Sequence, residues 1–374
     1  AGLVTHTIGA DLNQLALPNA ALAGSQLDTF HPCEVLRLTQ LALEGKLRGQ
    51  LLLIDDLDCV GEAIDTVLGL GEGRDVLEKL VNASRRGLFA LALAGDLANA
   101  PMRWCANISQ RLYLGVCSDT LADQAGLKRC QQAPNQVGAG VLTLASHWCA
   151  AQILLAPVLP TSAANLPASV VDSPASASDL PVNPSDTTTA LAAAPVVALP
   201  EIVPTCPPWA LGLGGDQAQP WCPQLSQGLA IIGPAGSGRS TALARVYDIL
   251  QATDPTLAQH AIFIDNLDQA CPSAINTVET ALDAGTPVFA TALTSRAANT
   301  YSGALSQLRS LSPLLLLAPG LGEGTQLANV RLTRWLDPHR QHLPGRGLVI
   351  ASSQITPIQI CQNTSPTFAA NPQV

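Results

Sequence analysis

The stretch GLAIIGPAGSGRSTALARVYDIL, residues 228–250, restricts the fold of this chain more than any other. Residues 229–232 form a short, continuous apolar run, the pattern of a strand covered on both faces. A helix-forming run follows, and between the two stand Gly233, Pro234, Ala235, Gly236, Ser237 and Gly238. A buried strand that passes through a glycine loop directly into a helix requires a sheet with helices laid on it. The expectation is therefore an α/β domain of three layers, helix, mostly parallel sheet and helix.

The loop also carries chemistry. With Arg239, Ser240 and Thr241 it reads G-x-x-x-x-G-[K/R]-[S/T], the P-loop spacing. Its glycines let the backbone fold around an anion, and the positive end of the following helix adds to the attraction. Ser240 is placed to ligate Mg²⁺, and Thr241 to reach the α-phosphate of a bound ATP. Arg239 departs from the usual lysine: a planar fork replaces a compact point charge, so binding is expected to survive while hydrolysis slows or fails. Downstream, HAIFIDNLD is a short apolar strand ending in Asp265, the position from which a carboxylate holds Mg²⁺. The next residue, where a glutamate commonly polarises the attacking water, is Asn266. An amide cannot act as a general base.

The chain repeats itself. QLLLIDDLD near residue 55 matches HAIFIDNLD, with Asp55 and Asp265 210 positions apart. LFALALAGDLAN then matches PVFATALTSRAAN, NISQRLYLGV matches ALSQLRSLSPLLLL, and GAGVLTLASHWCAAQILLA matches GRGLVIASSQITPIQIC. Gln152 and Gln359 lie 207 apart, so the register returns almost to its start. Between the apolar runs lie the helical patterns VLRLTQLALEG, DVLEKLVNASRRG and INTVETALDAG, with Gly87 and Gly285 at expected helix ends. The first repeat carries Asp55 and Asp56 at its strand end but no glycine loop. Either its loop lies upstream of residue 1 or it never had one.

Composition divides the chain. The stretch from about residue 157 to residue 204 is rich in Pro, Ala, Ser and Thr without an aromatic residue, which predicts an extended, mobile linker. The expected organisation is a truncated or degenerate ATPase domain at 1–156, the linker at 157–204, an ATPase domain with its P-loop at 205–364, and a disordered tail at 365–374. The ten cysteines form no C-x-x-C pair, which fits reduced thiols in a cytosolic setting. No basic, apolar leader opens the sequence, and no apolar run approaches the ~20 residues of a membrane span. A net charge of −9 with 13% charged residues offers no basic tract for nucleic acid.

GLGGDQAQPW ahead of the loop, the IDDLD and IDNLD strands and the closing PGRGLVIASSQITPIQI resemble the FtsK/SpoIIIE superfamily. The resemblance is strongest to the tandem ATPase modules of actinobacterial type VII secretion EccC proteins, and it covers nearly everything outside the linker. It implies two tandem RecA-like P-loop NTPase domains, the first lacking its P-loop in this chain. It further implies ATP and Mg²⁺ as ligands and neighbouring ATPase domains or subunits as partners. The cargo would be a secreted protein or DNA. The position would be cytoplasmic, at the inner face of the membrane through segments outside this chain. The catalytic candidates are Asp265 and Asn266, with Asp55 and Asp56 in the first repeat. Thr294, Ser295 and Arg296 fall at a sensor position, Asp96 at its counterpart, and Arg111 and Arg309 are weaker arginine-finger candidates. Only about a dozen residues separate the loop helix from IFID, so the second repeat should lack an edge strand. None of the six histidines has metal-ligand spacing, and surface or capping roles are expected for them. Three functions compete: a secretion-type ATP-binding motor segment, a DNA translocase, and a non-catalytic module that holds ATP and docks a peptide.

Overall fold

The computed structural model describes residues 3–9, 22–96, 107–115, 120, 123, 137–144, 147–153, 196–311, 313–320, 322–336, 343–351 and 354–362. The tail assigned to 365–374 and the linker up to residue 195 lie outside them. The chain forms two compact units, Ala1–Asp96 together with Ala193–Val374, and Leu97–Ala192.

In the first unit, strands β1 (Thr5–Gly9), β2 (Ala23–Asp28), β3 (Leu51–Ile54) and β4 (Ala90–Leu93) make an all-parallel sheet in the order β2-β1-β3-β4. Helices α1 (Pro32–Leu43), α2 (Leu57–Leu68) and α3 (Glu72–Arg85) fill the connections. Helix α1 starts on a proline, whose missing N–H costs nothing at a first turn, and buries Val35, Leu36, Leu38 and Ala42 along one stripe. Gly87 closes α3 as expected, with φ 75° and its N–H on the Ser84 carbonyl.

The same unit holds the second repeat. Its sheet runs β11-β12-β10-β13-β14-β15-β8-β9. Strands β8 (Gly212–Gly214) and β9 (Gln219–Trp221) are the GLGGDQAQPW segment folded as a hairpin. The central strands are β10 (Gly228–Gly233), β11 (Ile262–Ile264), β12 (Val288–Leu293) and β13 (Leu314–Leu317), and β14 (Arg346–Ala351) with β15 (Gln354–Ile360) completes the sheet. Alternate residues feed two cores. Leu229, Ile231, Leu315 and Leu317 meet Leu243, Val246 and Leu250 of α4 (Arg239–Thr253) on one face. Ala230, Ile232, Leu314 and Leu316 meet Val278 and Leu282 of α6 (Pro272–Asp283) and Leu308 of α8 (Ala304–Leu311) on the other. Strands covered on both sides explain why their sequences are unbroken apolar runs. The expectation of a mostly parallel sheet needs correction. Three pairings are parallel and four antiparallel: the closing segment and the GLGGD segment each fold as a hairpin, a connection only antiparallel strands allow, and the closing hairpin also runs antiparallel to β13 and β8 on either side. A short α5 (Pro255–His260) is all that stands between α4 and β11, and β11 is indeed the sheet's edge.

Unit Leu97–Ala192 contains β5 (Gln110–Leu114), β6 (Ala139–Leu144) and β7 (His147–Gln152), an antiparallel sheet of three. It is the counterpart of β13-β14-β15, residue for residue. Leu114 faces Gly140 as Leu317 faces Gly347, and Ala139 faces Gln152 as Arg346 faces Gln359. Gln152 donates to the Val137 carbonyl at 3.0 Å, and Gln359 donates to the Pro344 carbonyl at 2.9 Å. Gly138 and Gly345, with φ 76° and 78°, make the same turn beside them. The first repeat nevertheless lies in two separate sheets. In the second repeat β10 joins β12 to β13, whereas no described strand joins their counterparts β4 and β5.

Two local expectations change. The end of the stretch assigned to the linker is packed: Val196, Leu199 and Val203 are buried, and Val203 bridges Cys361. Apolar residues spaced three and four apart were hidden there among prolines. His6, expected at the surface or as a cap, is fully buried on β1. Its Nδ1 accepts the Ser25 N–H at 3.0 Å, so Nε2 carries the proton given to Gln50 Oε1 at 2.7 Å. Ser25 Oγ in turn accepts the Val196 N–H at 2.7 Å.

Candidate functional site

The site is assembled where β10, β11 and β12 end. Strand β10 is buried along its whole length and delivers Gly233 into the loop. A Cβ at Gly233 would lie 2.5 Å from Ser237 Oγ and 3.0 Å from Leu317, so the packing itself demands glycine. Gly236 and Gly238 take φ 79° and 93°, and Gly238 caps the 15-residue α4. Pro234, Ala235, Gly236, Ser240 and Thr241 are exposed, while Ser237 is buried. The loop is braced from behind: the Gly345 N–H donates to the Ser237 carbonyl at 2.8 Å, and the Ile360 N–H to the Gly345 carbonyl at 2.8 Å. The closing PGRG segment thus supports the loop.

Asp265 stands opposite. Ser240 Oγ donates to Asp265 Oδ2 at 2.8 Å, bringing together the two oxygens assigned to Mg²⁺ from sequence. The other oxygen, Oδ1, accepts the hydroxyl of Thr291 on β12, and that hydroxyl accepts the Asn266 N–H at 2.8 Å. Sequence reasoning missed Thr291. Its signal was a lone polar residue inside the apolar run VFATAL, and the matching position of the first repeat is Leu91. Asn266 sits at φ 56°, ψ 55°, a left-handed conformation that asparagine and aspartate tolerate better than most residues. Asp56 has the same backbone, φ 56°, ψ 76°, but its carboxylate accepts the Cys59 N–H and caps α2. Asp55 follows directly on β3, its N–H on the Ile8 carbonyl. The two candidates of the first repeat hold the strand-end geometry, with no glycine loop hydrogen-bonded to them among the described residues.

Helix α4 is anchored by Arg245, almost fully buried, which donates to the Pro207 carbonyl at 2.7 Å and the Ala210 carbonyl at 2.9 Å. Of the weaker candidates, Thr294 opens α7 (Thr294–Ala297) and is buried, whereas Ser295 and Arg296 are exposed. Arg309 is engaged within its own fold, donating to the Ala297 and Thr300 carbonyls, with burial holding its guanidinium below the ordinary range. Arg111 lies on β5 with its guanidinium 6.0 Å from the ring centre of Tyr113. Asp96 is exposed.

The residues fit a nucleotide and its metal. Ser240 and Asp265 offer hard oxygens suited to Mg²⁺. Arg239 Nη1 is buried without a hydrogen-bond partner, a cationic donor waiting beside the positive end of a long helix. No group of three or more His, Cys, Asp or Glu able to hold a metal occurs among the described residues.

No family model matches the sequence, and no curated protein does. Solved structures do. EccC (ATPases 2 and 3) of Thermomonospora curvata, solved in complex with a signal sequence peptide, superposes with a TM-score of 0.53 at 14% identity, over 97% of this chain and 83% of that one. EssC (ATPases 2 and 3) from Geobacillus thermodenitrificans gives 0.53 at 11% identity, over 96% and 85%. The chain has the fold of these tandem ATPase modules. That likeness spans both repeats. No helix among the described residues is long and apolar enough to cross a membrane.

Proposed function

We propose that the chain is the ATP-binding portion of a translocation motor of the secretion type, built as two tandem RecA-like P-loop modules of which the second holds the nucleotide. The observation that carries this reading is the 2.8 Å contact between Ser240 Oγ and Asp265 Oδ2 at the mouth of α4, beneath a braced glycine loop. In this reading residues 233–241 cradle the phosphates, with Arg239 adding a fixed cation, and Ser240 and Asp265 hold Mg²⁺, which neutralises phosphate charge when bound. Thr291 fixes the carboxylate. Asn266 cannot take a proton from water, so turnover is weak or absent and bound ATP serves chiefly to order the module. In the first repeat Asp55 and Asp56 keep the strand-end backbone of Asp265 and Asn266. The partners are neighbouring ATPase modules and a secreted protein, in a cytoplasmic setting with membrane attachment through other segments.

The amide at Asn266 favours one variant of this reading, a peptide-docking module held in shape by ATP. The acidic balance of the chain, net −9, supports a protein cargo over DNA. ATP binding and phosphate release, measured together with and without DNA, test the proposal. Tight Mg²⁺-dependent binding with little release, unchanged by DNA and weakened by Ser240→Ala, is expected. DNA-stimulated turnover would overturn the secretion reading, and Mg²⁺-dependent affinity unaltered in Ser240→Ala would overturn the metal assignment.

A further inference from the structure

The arm that enters the second repeat is laid across the end of its last strand. Val203 bridges Cys361 in parallel register, the Gln362 N–H donates to the Val203 carbonyl at 2.9 Å, and the Cys361 N–H donates to the Leu211 carbonyl at 3.1 Å. Residues 203–211 therefore arc around Cys361, held at both ends. Cys206 lies within that arc, three residues past the Val203 bridge, and its thiol interacts with that of Cys361. The two are 155 positions apart in sequence. Cys361 is fully buried and Cys206 half-buried, and both are free thiols.

We propose that Cys206 and Cys361 form a dithiol–disulfide site, closed by a hydroperoxide, whose bond staples the entering arm to β15. The partly exposed partner reacts first. Cys206 sulfur attacks one peroxide oxygen, the O–O bond breaks, and an alcohol (water, for hydrogen peroxide) leaves, so that Cys206 becomes a sulfenic acid. Cys361 sulfur then attacks Cys206 sulfur, and the hydroxyl departs with the Cys361 proton as water. The two thiols lose two protons and two electrons, and the peroxide takes them up. Burial, followed by the neighbouring Cys361 thiol, pushes the Cys206 thiol up to about 12, against the pull of the Arg245 guanidinium. Thiolate is scarce at neutral pH, so closure is slow there and accelerates about tenfold per pH unit. The site is a staple for sustained oxidation rather than a fast sensor.

The staple acts on the glycine loop. Cys361 follows Ile360, whose N–H holds the Gly345 carbonyl, and the Gly345 N–H holds Ser237. Restraining Cys361 restrains the brace behind residues 233–241. This second part rests on the nucleotide reading of the loop; the cross-link itself does not.

The reduced full chain is exposed to hydrogen peroxide at pH 7 and pH 9, remaining thiols are blocked, and proteolytic fragments are identified by mass spectrometry. The expected result is a fragment joining Cys206 to Cys361, formed about 100-fold faster at pH 9 and absent in Cys206→Ser. Over-oxidised Cys206 without the link, or Cys361 joined to another cysteine, would overturn the site. ATP affinity is then compared between the linked and reduced chain. A shift of about threefold or more, reversed by a thiol reductant and absent in Cys206→Ser, supports the coupling. Equal affinity with the link present refutes the coupling, and a reduced chain that binds no ATP refutes the nucleotide reading while the linked fragment still decides the site.

Discussion

Thr291→Val is the substitution that separates the site geometry from a merely well-packed sheet. Valine reproduces the shape of threonine, and position 291 is fully buried, so no cavity opens. What disappears is a hydroxyl with two duties. Asp265 loses the donor on Oδ1, and the Asn266 N–H, 2.8 Å from the hydroxyl, loses its acceptor. A hydrogen bond to a charged group and a stranded backbone donor together cost about 2–4 kcal/mol. For a unit of this size that lowers the melting temperature by roughly 5–10 °C. The effect on function is separate. Asp265 remains but is free to rotate away from Ser240, and loss of such a supporting contact typically reduces metal affinity by about 10–100-fold. Titrating Mg²⁺ at fixed ATP, with binding read by calorimetry, measures it, and Thr291→Ser should restore most of the affinity. A folded Thr291→Val chain with Mg²⁺ dependence within about twofold of the parent would refute the claim that this hydroxyl positions the carboxylate.

Two further outcomes are expected. Burial lowers the pKa of His6 below its ordinary 6.5, so below about pH 6.5 the unfolded chain binds a proton that the folded chain refuses. Stability should then fall with pH by up to about 1.4 kcal/mol per unit, until the lowered folded value is reached. The difference in melting temperature between the parent and His6→Gln should depend on pH across 7 to 5.5, and a constant difference would contradict this. Arg245→Met should shift the urea midpoint by the equivalent of about 3–5 kcal/mol, because it strips charged donors from the Pro207 and Ala210 carbonyls; a loss under about 1 kcal/mol would show that the arm is held by other contacts.

The features legible in the sequence are those written within a short window or repeated at a fixed offset. The glycine loop announced itself because a strand, three glycines and Arg-Ser-Thr fall within 13 residues. The pairing of β5-β6-β7 with β13-β14-β15 was foreshadowed by Gln152 and Gln359, which prove to clamp equivalent turns. Long-range contacts between unlike segments left no such trace. Thr291 looks like an accidental polar residue until β12 is placed beside β11. His6 gives no hint of burial, because its partners Ser25 and Gln50 come from other strands and loops. The parallel expectation failed because strand direction depends on connection, and a strand sequence reads alike in either sense. The packed end of the linker was obscured by its prolines, which fit an ordered arm as readily as a loose one.

The border strand of the second repeat has further consequences. At three residues, β11 presents a ladder too short to template another chain, and its Phe263 and Ile264 are turned inward. Another polypeptide would therefore find little backbone to grip on that flank. An edge that short leaves the module resistant to the edge-to-edge stacking that drives open sheets into fibrils.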